Sequence, residues 1–282
     1  TFASEELGLH QLVYADGSGA YVRQNGLVVD RWASQWERPE LWLFDLHHRL
    51  FAGEAGEVMT GLAGIAGLLF VVTGAILWWR NRRAFRLRLW PKRLAPGPIV
   101  GHHRDLGLVT TPLLLVSMLT GVLMLFAPVR TAMLGAEQRP KQVIDLAIRP
   151  SPAQVLAFAK SRFPDAELRR LTLPPRPGDP IAVRMRQSFE WTPHGRTQLS
   201  VAADGAVTIE DAAVANRSAS LSEKVYPLHS AKVGGLAWKI AMTTSGIALA
   251  ILGSLAMWSF WTRRAHKRAR WRKPLGLSAS AS

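Results

Sequence analysis

The sequence has no cysteine in 282 residues, which excludes disulfide frameworks, thiolate zinc sites, iron–sulfur clusters and covalent CxxCH haem attachment. Any metal must therefore be held by His, carboxylate or Met. Acidic residues are scarce, 20 Asp plus Glu against 35 Lys plus Arg, for a formal charge of +15. No GxGxxG, Walker A, HExxH or GxSxG pattern occurs, so nicotinamide binding, nucleotide hydrolysis, zinc proteolysis and serine hydrolysis have no sequence basis. The chain starts at Thr1 rather than Met and carries no apolar run before residue 40, so no signal peptide is expected within it and it reads as part of a longer or processed protein.

What the sequence does have is three long uncharged runs. Val58 to Trp79, Leu106 to Val129 and Ile240 to Trp261 hold no Asp, Glu, Lys or Arg. Crossing hydrocarbon takes about 20 apolar residues in a segment that satisfies its own backbone polar groups, so each run is expected to be a transmembrane helix. The stretch from Arg80 to Asp105 carries eight basic residues and one acid, and the tail beyond Trp261 carries seven and none; both are expected to be cytoplasmic. Residues 1–57, with four basic and nine acidic side chains, suit the opposite side. The expected protein is thus multi-pass, with a cytoplasmic C-terminus. Its positive charge serves topology and anionic lipid rather than nucleic acid. Trp78, Trp79, Trp258 and Trp261 fall where an interfacial aromatic belt belongs. An outside N-terminus on three spans calls for a further helix upstream, which would make four.

The reading divides the chain into a remnant of a first extracytoplasmic loop (1–40), a first membrane helix with an outer extension (41–80) and a basic cytoplasmic loop (81–105). A second membrane helix (106–129), an extracytoplasmic domain (130–228), a third membrane helix with an outer extension (229–261) and a basic cytoplasmic tail (262–282) follow. In the domain, Ser151-Pro152 opens a helical pattern that stops near Phe163-Pro164. Strand-like runs follow at Leu168 to Leu173, Ile181 to Met185 and Thr197 to Val201, and Asp204-Gly205 turns into Val207 to Ile209. The fold class is a membrane helical bundle with a small α+β domain of one helix on three or four antiparallel strands. Val13 to Val29, with Asp16-Gly17 and Asn25-Gly26, shows similar strand and turn spacing.

Eight histidines are present. His47 and His48 lie just before the first membrane run, and His229 just before the third. His47 precedes Val58 by 11 residues and His229 precedes Ile240 by 11, so on continuous helices entering from one side the two imidazoles are expected at equal height. That height is about 16 Å beyond the uncharged runs at 1.5 Å per residue. Gly53, Gly56, Gly234 and Gly235 would let a flat group or another helix come close. Two neutral imidazoles from different helices on one iron are the axial pair of a b-type haem, a cofactor that needs no cysteine. His48 is the alternative to His47, because Phe44, Phe51, Ala52, Ala55 and Met59 lie on its helical face. His102 and His103 sit at the cytoplasmic start of the second membrane run, and His266 lies among the basic residues of the tail.

Leu46-His47 with Leu50, Gly53 and Gly56, then Thr73-Gly74 and Trp78-Trp79, then His103-Arg104 with Leu106-Gly107 and Thr120-Gly121, and finally Pro227-Leu228-His229 with Gly234-Gly235, occur in an order that resembles the PepSY-associated transmembrane family. The module ending in Val201 to Val207 resembles a PepSY domain. The resemblance implies a four-helix bacterial inner-membrane protein, here without its first helix. It also implies haem b as cofactor, electron transfer to a ferric siderophore at the periplasmic face during iron uptake, and an unidentified electron donor. It assigns His47 and His229 to an outer haem and His103, with His102 adjacent, to an inner one. The family's first-helix motif for the other inner ligand is missing from this sequence. The competing class is a non-redox PepSY binding or regulatory module anchored by the helices. A transporter is disfavoured because the membrane runs hold no ionisable residue.

The charge asymmetry makes a direct prediction. Reporter fusions after Ser282 should read cytoplasmic and fusions near Gly178 extracytoplasmic; the reverse pattern would overturn the topology.

Overall fold

The computed structural model describes residues 3–4, 8–14, 16–23, 25–87, 89–135, 140–146, 150–174, 176–215 and 220–271. In chain order these form β1 (Ala3–Ser4), β2 (Leu9–Val13), β3 (Gly19–Arg23), β4 (Val28–Trp32), α1 (Pro39–Arg49), α2 (Gly53–Asn81), α3 (Pro96–Leu125), α4 (Ala127–Leu134), β5 (Lys141–Asp145), α5 (Pro152–Arg162), β6 (Glu167–Thr172), β7 (Ile181–Arg186), β8 (Thr197–Val201), β9 (Ala206–Glu210), α6 (Ala212–Ala215), α7 (Leu221–His229) and α8 (Gly235–Trp271). The chain divides into two compact units: residues 1–61 with 123–233, and residues 62–122 with 234–282. Three helices, α2, α3 and α8, are long and apolar enough to cross a membrane by length and composition.

The helix limits correct the sequence reading in three places. The second apolar run does not stay helical to Val129: α3 ends at Leu125, Phe126 leaves helical geometry, and Pro128 sits in the first turn of α4, where a missing N–H costs nothing. The supposed loop before it is half helix, since α3 already begins at Pro96. The outer extensions of the first and third runs are separate helices, α1 and α7, divided from α2 and α8 by short non-helical turns.

In the first unit, β1 to β4 form an antiparallel meander. Its hairpins turn at the predicted Asp16-Gly17 and Asn25-Gly26, where both glycines take positive φ. The meander holds the start of α1. Arg38, the residue before Pro39, pairs with Asp30 and lies over the rings of Tyr21 and Trp32. The Tyr21 hydroxyl donates to Glu40 Oε1 at 2.8 Å.

The second sheet of this unit has five antiparallel strands in the order β5-β9-β8-β7-β6. Strands β7 and β8 alternate buried and half-buried residues, and α5 packs Val155, Ala159 and Phe163 against Val183, Met185, Leu199 and Ile209. Ser151 caps α5 in a full capping box with Gln154, a two-donor arrangement that fixes where the helix starts. The fifth strand, β5, was not anticipated: it is an edge strand exposed along its whole length, so no alternating pattern marks it.

A buried polar network ties α7 to this sheet. Glu190, 2% exposed, accepts from the backbone N–H groups of Gln187 at 3.0 Å and of Arg196. It also accepts from the Thr197 hydroxyl at 3.2 Å. Arg196 in turn reaches Glu223 of α7 at 3.0 Å. One buried guanidinium thus balances two largely buried carboxylates. Removing a single partner of such a group costs about 3–5 kcal/mol because the remaining charges stay buried. Arg196→Met should therefore lower the thermal unfolding midpoint markedly; an unchanged midpoint would show that the network does not hold α7.

Burial, and then the Glu40 carboxylate that accepts its hydrogen, push the Tyr21 phenol from the ordinary 10.0 up to about 12. The folded chain keeps this phenol neutral where the unfolded chain ionises it, so its stabilisation is full below pH 10 and is lost as pH rises towards 12. Phenolate absorbance of the wild type minus that of Tyr21→Phe should titrate near 12. A midpoint at the ordinary value would dissolve the clamp on α1.

Candidate functional site

The His47 imidazole is carried by the last turn of α1. That helix stops because Leu50 (φ 49°) and Phe51 (φ 59°) enter left-handed conformation, with the Leu50 N–H closing on the Leu46 carbonyl at 3.1 Å. Gly53 follows at φ 58° with open space where a Cβ would be, so its role is conformational rather than to admit a neighbour. Gly56 is the close approach: a Cβ there would lie 1.6 Å from the Arg49 carbonyl oxygen. The α2 start is therefore folded tightly onto the α1 end.

The second imidazole, His229, is the last residue of α7. Ser220 and Glu223 form the capping box that starts this helix. Its end is again left-handed, at Ala231 (φ 52°), Gly234 (φ 80°) and Gly235 (φ 63°). The glycines anticipated as clearance for a flat group thus serve mainly to turn the chain. Gly235 has open space where a side chain would be, and a Cβ on Gly234 would meet the side chain of Trp238.

Within this unit the structure brings His47 and His229 together, ring centroids 5.9 Å apart and planes at 20°. The equal 11-residue offsets do not explain it, because neither helix runs on continuously into its membrane segment. Their shared position explains it instead: each imidazole sits in the last turn before a left-handed break. His48 turns elsewhere, stacking on Phe44 one turn back at 4.3 Å. Burial, followed by the adjacent His47, pushes the His48 imidazole below its ordinary range.

Two imidazoles bound to one metal at about 2 Å each, with ring centres about 1 Å further back, stand about 6 Å apart. The His47–His229 spacing fits a bis-imidazole iron. His47 is exposed and makes no hydrogen bond with the described residues, so its nitrogens are open to a ligand.

The other unit carries His102 and His103 on α3. They are in different surroundings. His102 is wholly buried, with Trp90 edge-on at 6.2 Å, and neither ring nitrogen has a hydrogen-bond partner among the described residues. A buried unpaired donor of this kind costs about 1–3 kcal/mol. His103 lines a cavity of about 640 Å³ with Phe260, Ser259, Arg263, Arg264 and Lys267. The Arg263 guanidinium is held by the Ser259 hydroxyl at 2.9 Å. No second imidazole lines this cavity among the described residues, and the side chain of His266 lies outside them.

One cluster escaped the sequence reading. His194, in the Pro193-His194-Gly195 turn, brings Nε2 to 3.2 Å from the Tyr226 hydroxyl and 2.7 Å from the Lys232 ammonium. Tyr226 directly precedes the Pro227-Leu228-His229 segment already singled out, but no spacing rule links position 226 to 194. Only the tertiary fold does.

No curated protein matches the sequence. The model of the PepSY-associated TM region matches residues 4–264, nearly the whole chain. It takes in α1 with its two histidines, the three long apolar helices and α7. The chain belongs to the family of the PepSY-associated TM region.

Proposed function

We propose that this chain is a b-haem electron-transfer protein of the bacterial inner membrane that passes single electrons to a ferric chelate, a siderophore complex in the reading the family resemblance favours, at the periplasmic face. The observation that carries this reading is the His47–His229 pair at 5.9 Å. His47 and His229 would hold the haem iron, and the haem would supply a reversible one-electron Fe(III)/Fe(II) couple. The protein's own part is to fix both imidazoles. The meander clamps the start of α1 through Arg38 and Glu40, and the Glu190–Arg196–Glu223 network clamps α7. With both helices braced, neither ring pays much ordering entropy on ligation.

His103 is the proposed ligand of an inner haem. Arg263, Arg264 and Lys267 around its cavity suit the carboxylates of such a group, but the described residues give that cavity one imidazole. His102 is the adjacent alternative, and its unpaired nitrogens favour a partner that the described residues do not supply. The electron donor belongs to the class of quinols, small reductants or partner proteins.

The test is a set of single variants in the full-length membrane protein, read by reduced-minus-oxidised spectra. His47→Ala or His229→Ala should convert a low-spin centre to high spin or empty it. His48→Ala should do little, because that ring stacks on Phe44. His103→Ala should leave the His47–His229 signal intact. If the spectrum shows no haem, or neither His47, His48 nor His229 matters, the anchored non-redox binding module takes its place.

A further inference from the structure

We propose that the cavity between α3 and α8 in the second unit holds one anionic phospholipid, its phosphate among Arg263, Arg264 and Lys267 and its acyl chains along Val100, Ala256 and Phe260. The site stands on its own observations and does not need the electron-transfer reading. It competes for this space with the inner haem considered above. Three observations support it.

The first is the order of the lining along α8. This helix runs unbroken from Gly235 to Trp271, so Ala256 and Lys267, which both line the cavity, stand about 16 Å apart along its axis at 1.5 Å per residue. Ala256 and Phe260 fall within the uncharged run that ends at Trp261, and the three cations follow it. An apolar wall and a cationic mouth thus succeed each other as acyl chain and headgroup do in a bilayer. The exposed Trp258 and Trp261 mark the boundary between them, where interfacial aromatic side chains belong. The leaflet concerned is the one reached by the C-terminal end of α8, cytoplasmic in the topology expected from charge.

The second is charge. No acid lines the cavity, the α8 sequence contains none, and the one acid in the α3 sequence, Asp105, is paired with Arg104 at 2.7 Å. The Ser259 hydroxyl accepts from two nitrogens of the Arg263 guanidinium, at 3.2 and 2.9 Å, and so aims it. The Arg264 guanidinium lies over the Trp261 ring at 5.9 Å. Neither neighbour carries negative charge. A phosphodiester supplies it, through charge-assisted bonds to the guanidinium groups, in a place where anionic lipid attracts each cation in any case.

The third is size and access. The cavity of about 640 Å³ is within the usual range for a small-molecule site. Its wall residues Val100 and Phe260 are 51% and 55% exposed, so acyl chains can enter sideways from hydrocarbon while the headgroup is held. A haem here would need a second imidazole, which the described lining does not supply; a lipid needs only the groups already present.

The test is native mass spectrometry of the full-length protein in detergent, titrated with dioleoylphosphatidylglycerol or dioleoylphosphatidylcholine, with the helix content of each variant checked by circular dichroism. Wild type should retain one phosphatidylglycerol per chain, bound about tenfold or more tightly than phosphatidylcholine. Arg263→Gln combined with Lys267→Gln should bring the two lipids level. Ala256→Trp, which keeps every cation but fills the apolar end, should also release the lipid. Arg83→Gln combined with Arg86→Gln, an equal loss of charge outside the cavity, should change nothing, and His103→Ala should leave retention intact. Equal affinity of wild type for the two lipids, or unchanged retention in Ala256→Trp, would overturn the site. So would an equal loss from the Arg83 and Arg86 pair, which would show diffuse attraction to a basic surface instead. A haem signal abolished by both His103→Ala and Ala256→Trp, with no preference for the anionic lipid, would assign the cavity to haem.

Discussion

Hydrocarbon offers no hydrogen bonds to a backbone, so a chain that crosses it must stay helical throughout and must put its irregular turns elsewhere. The three apolar helices obey this, and the consequence falls on the segments just before them. The chain breaks at Leu50 to Ala52 and again at Ser230 to Gly234, in both cases within one turn after a histidine. Such breaks need left-handed residues. Three of those used, Leu50, Phe51 and Ala231, are not glycine, a placement that costs of order 1 kcal/mol each and persists only where the surroundings demand it. At the first break the demand is visible in Gly56, whose missing side chain lets α2 fold onto the Arg49 carbonyl.

A short helix ending in a break cannot position a side chain by itself, because helices of about ten residues are marginal in water. Both histidine-bearing helices are instead braced by a sheet. The α1 helix depends on the meander through Arg38, which has Asp30 as its ion-pair partner and two aromatic rings beneath it. The α7 helix depends on the five-stranded sheet through Arg196, which bridges Glu190 and Glu223. Each brace uses an arginine near or inside low-dielectric surroundings, where a planar multi-donor cation can satisfy several acceptors at once. The imidazole spacing is thus a property of two sheets and two guanidinium groups more than of the membrane helices.

The parts of this arrangement readable in the sequence are those set by local pattern. The membrane helices are visible as uncharged runs, α5 as a Ser-Pro start with apolar periodicity, and the hairpins as Asp-Gly and Asn-Gly. The edge strand β5 is not, since exposure on both faces removes the alternation that marks a strand. Nor are the breaks at Leu50 and Ala231, because nothing in Leu-Phe-Ala or His-Ser-Ala advertises a left-handed turn; the tertiary contacts choose it. The pairing of His47 with His229 was reached by counting along helices that turned out to be interrupted. What brings the two rings together is instead the placing of each in the last turn before a left-handed break. The buried trio of Glu190, Arg196 and Glu223 was invisible for a different reason: its members are 6 and 27 residues apart, and only the fold makes them neighbours.

The same fold gives the α+β domain a role beyond that of an appendage. Its 187–196 loop is the common root of two contacts with the segment that carries His229. Through Arg196 it holds the interior side of α7, and through His194 it meets Tyr226 and the Lys232 side chain beyond the helix end. Gly195 lies between these two contacts and has no freedom to move outward, being closed by the Met185 backbone. One loop of the domain therefore meets the His229-bearing segment at two places, Glu223 of α7 and the Tyr226–Lys232 stretch around the helix end, so the sheet that carries this loop braces α7 along its length and at its end.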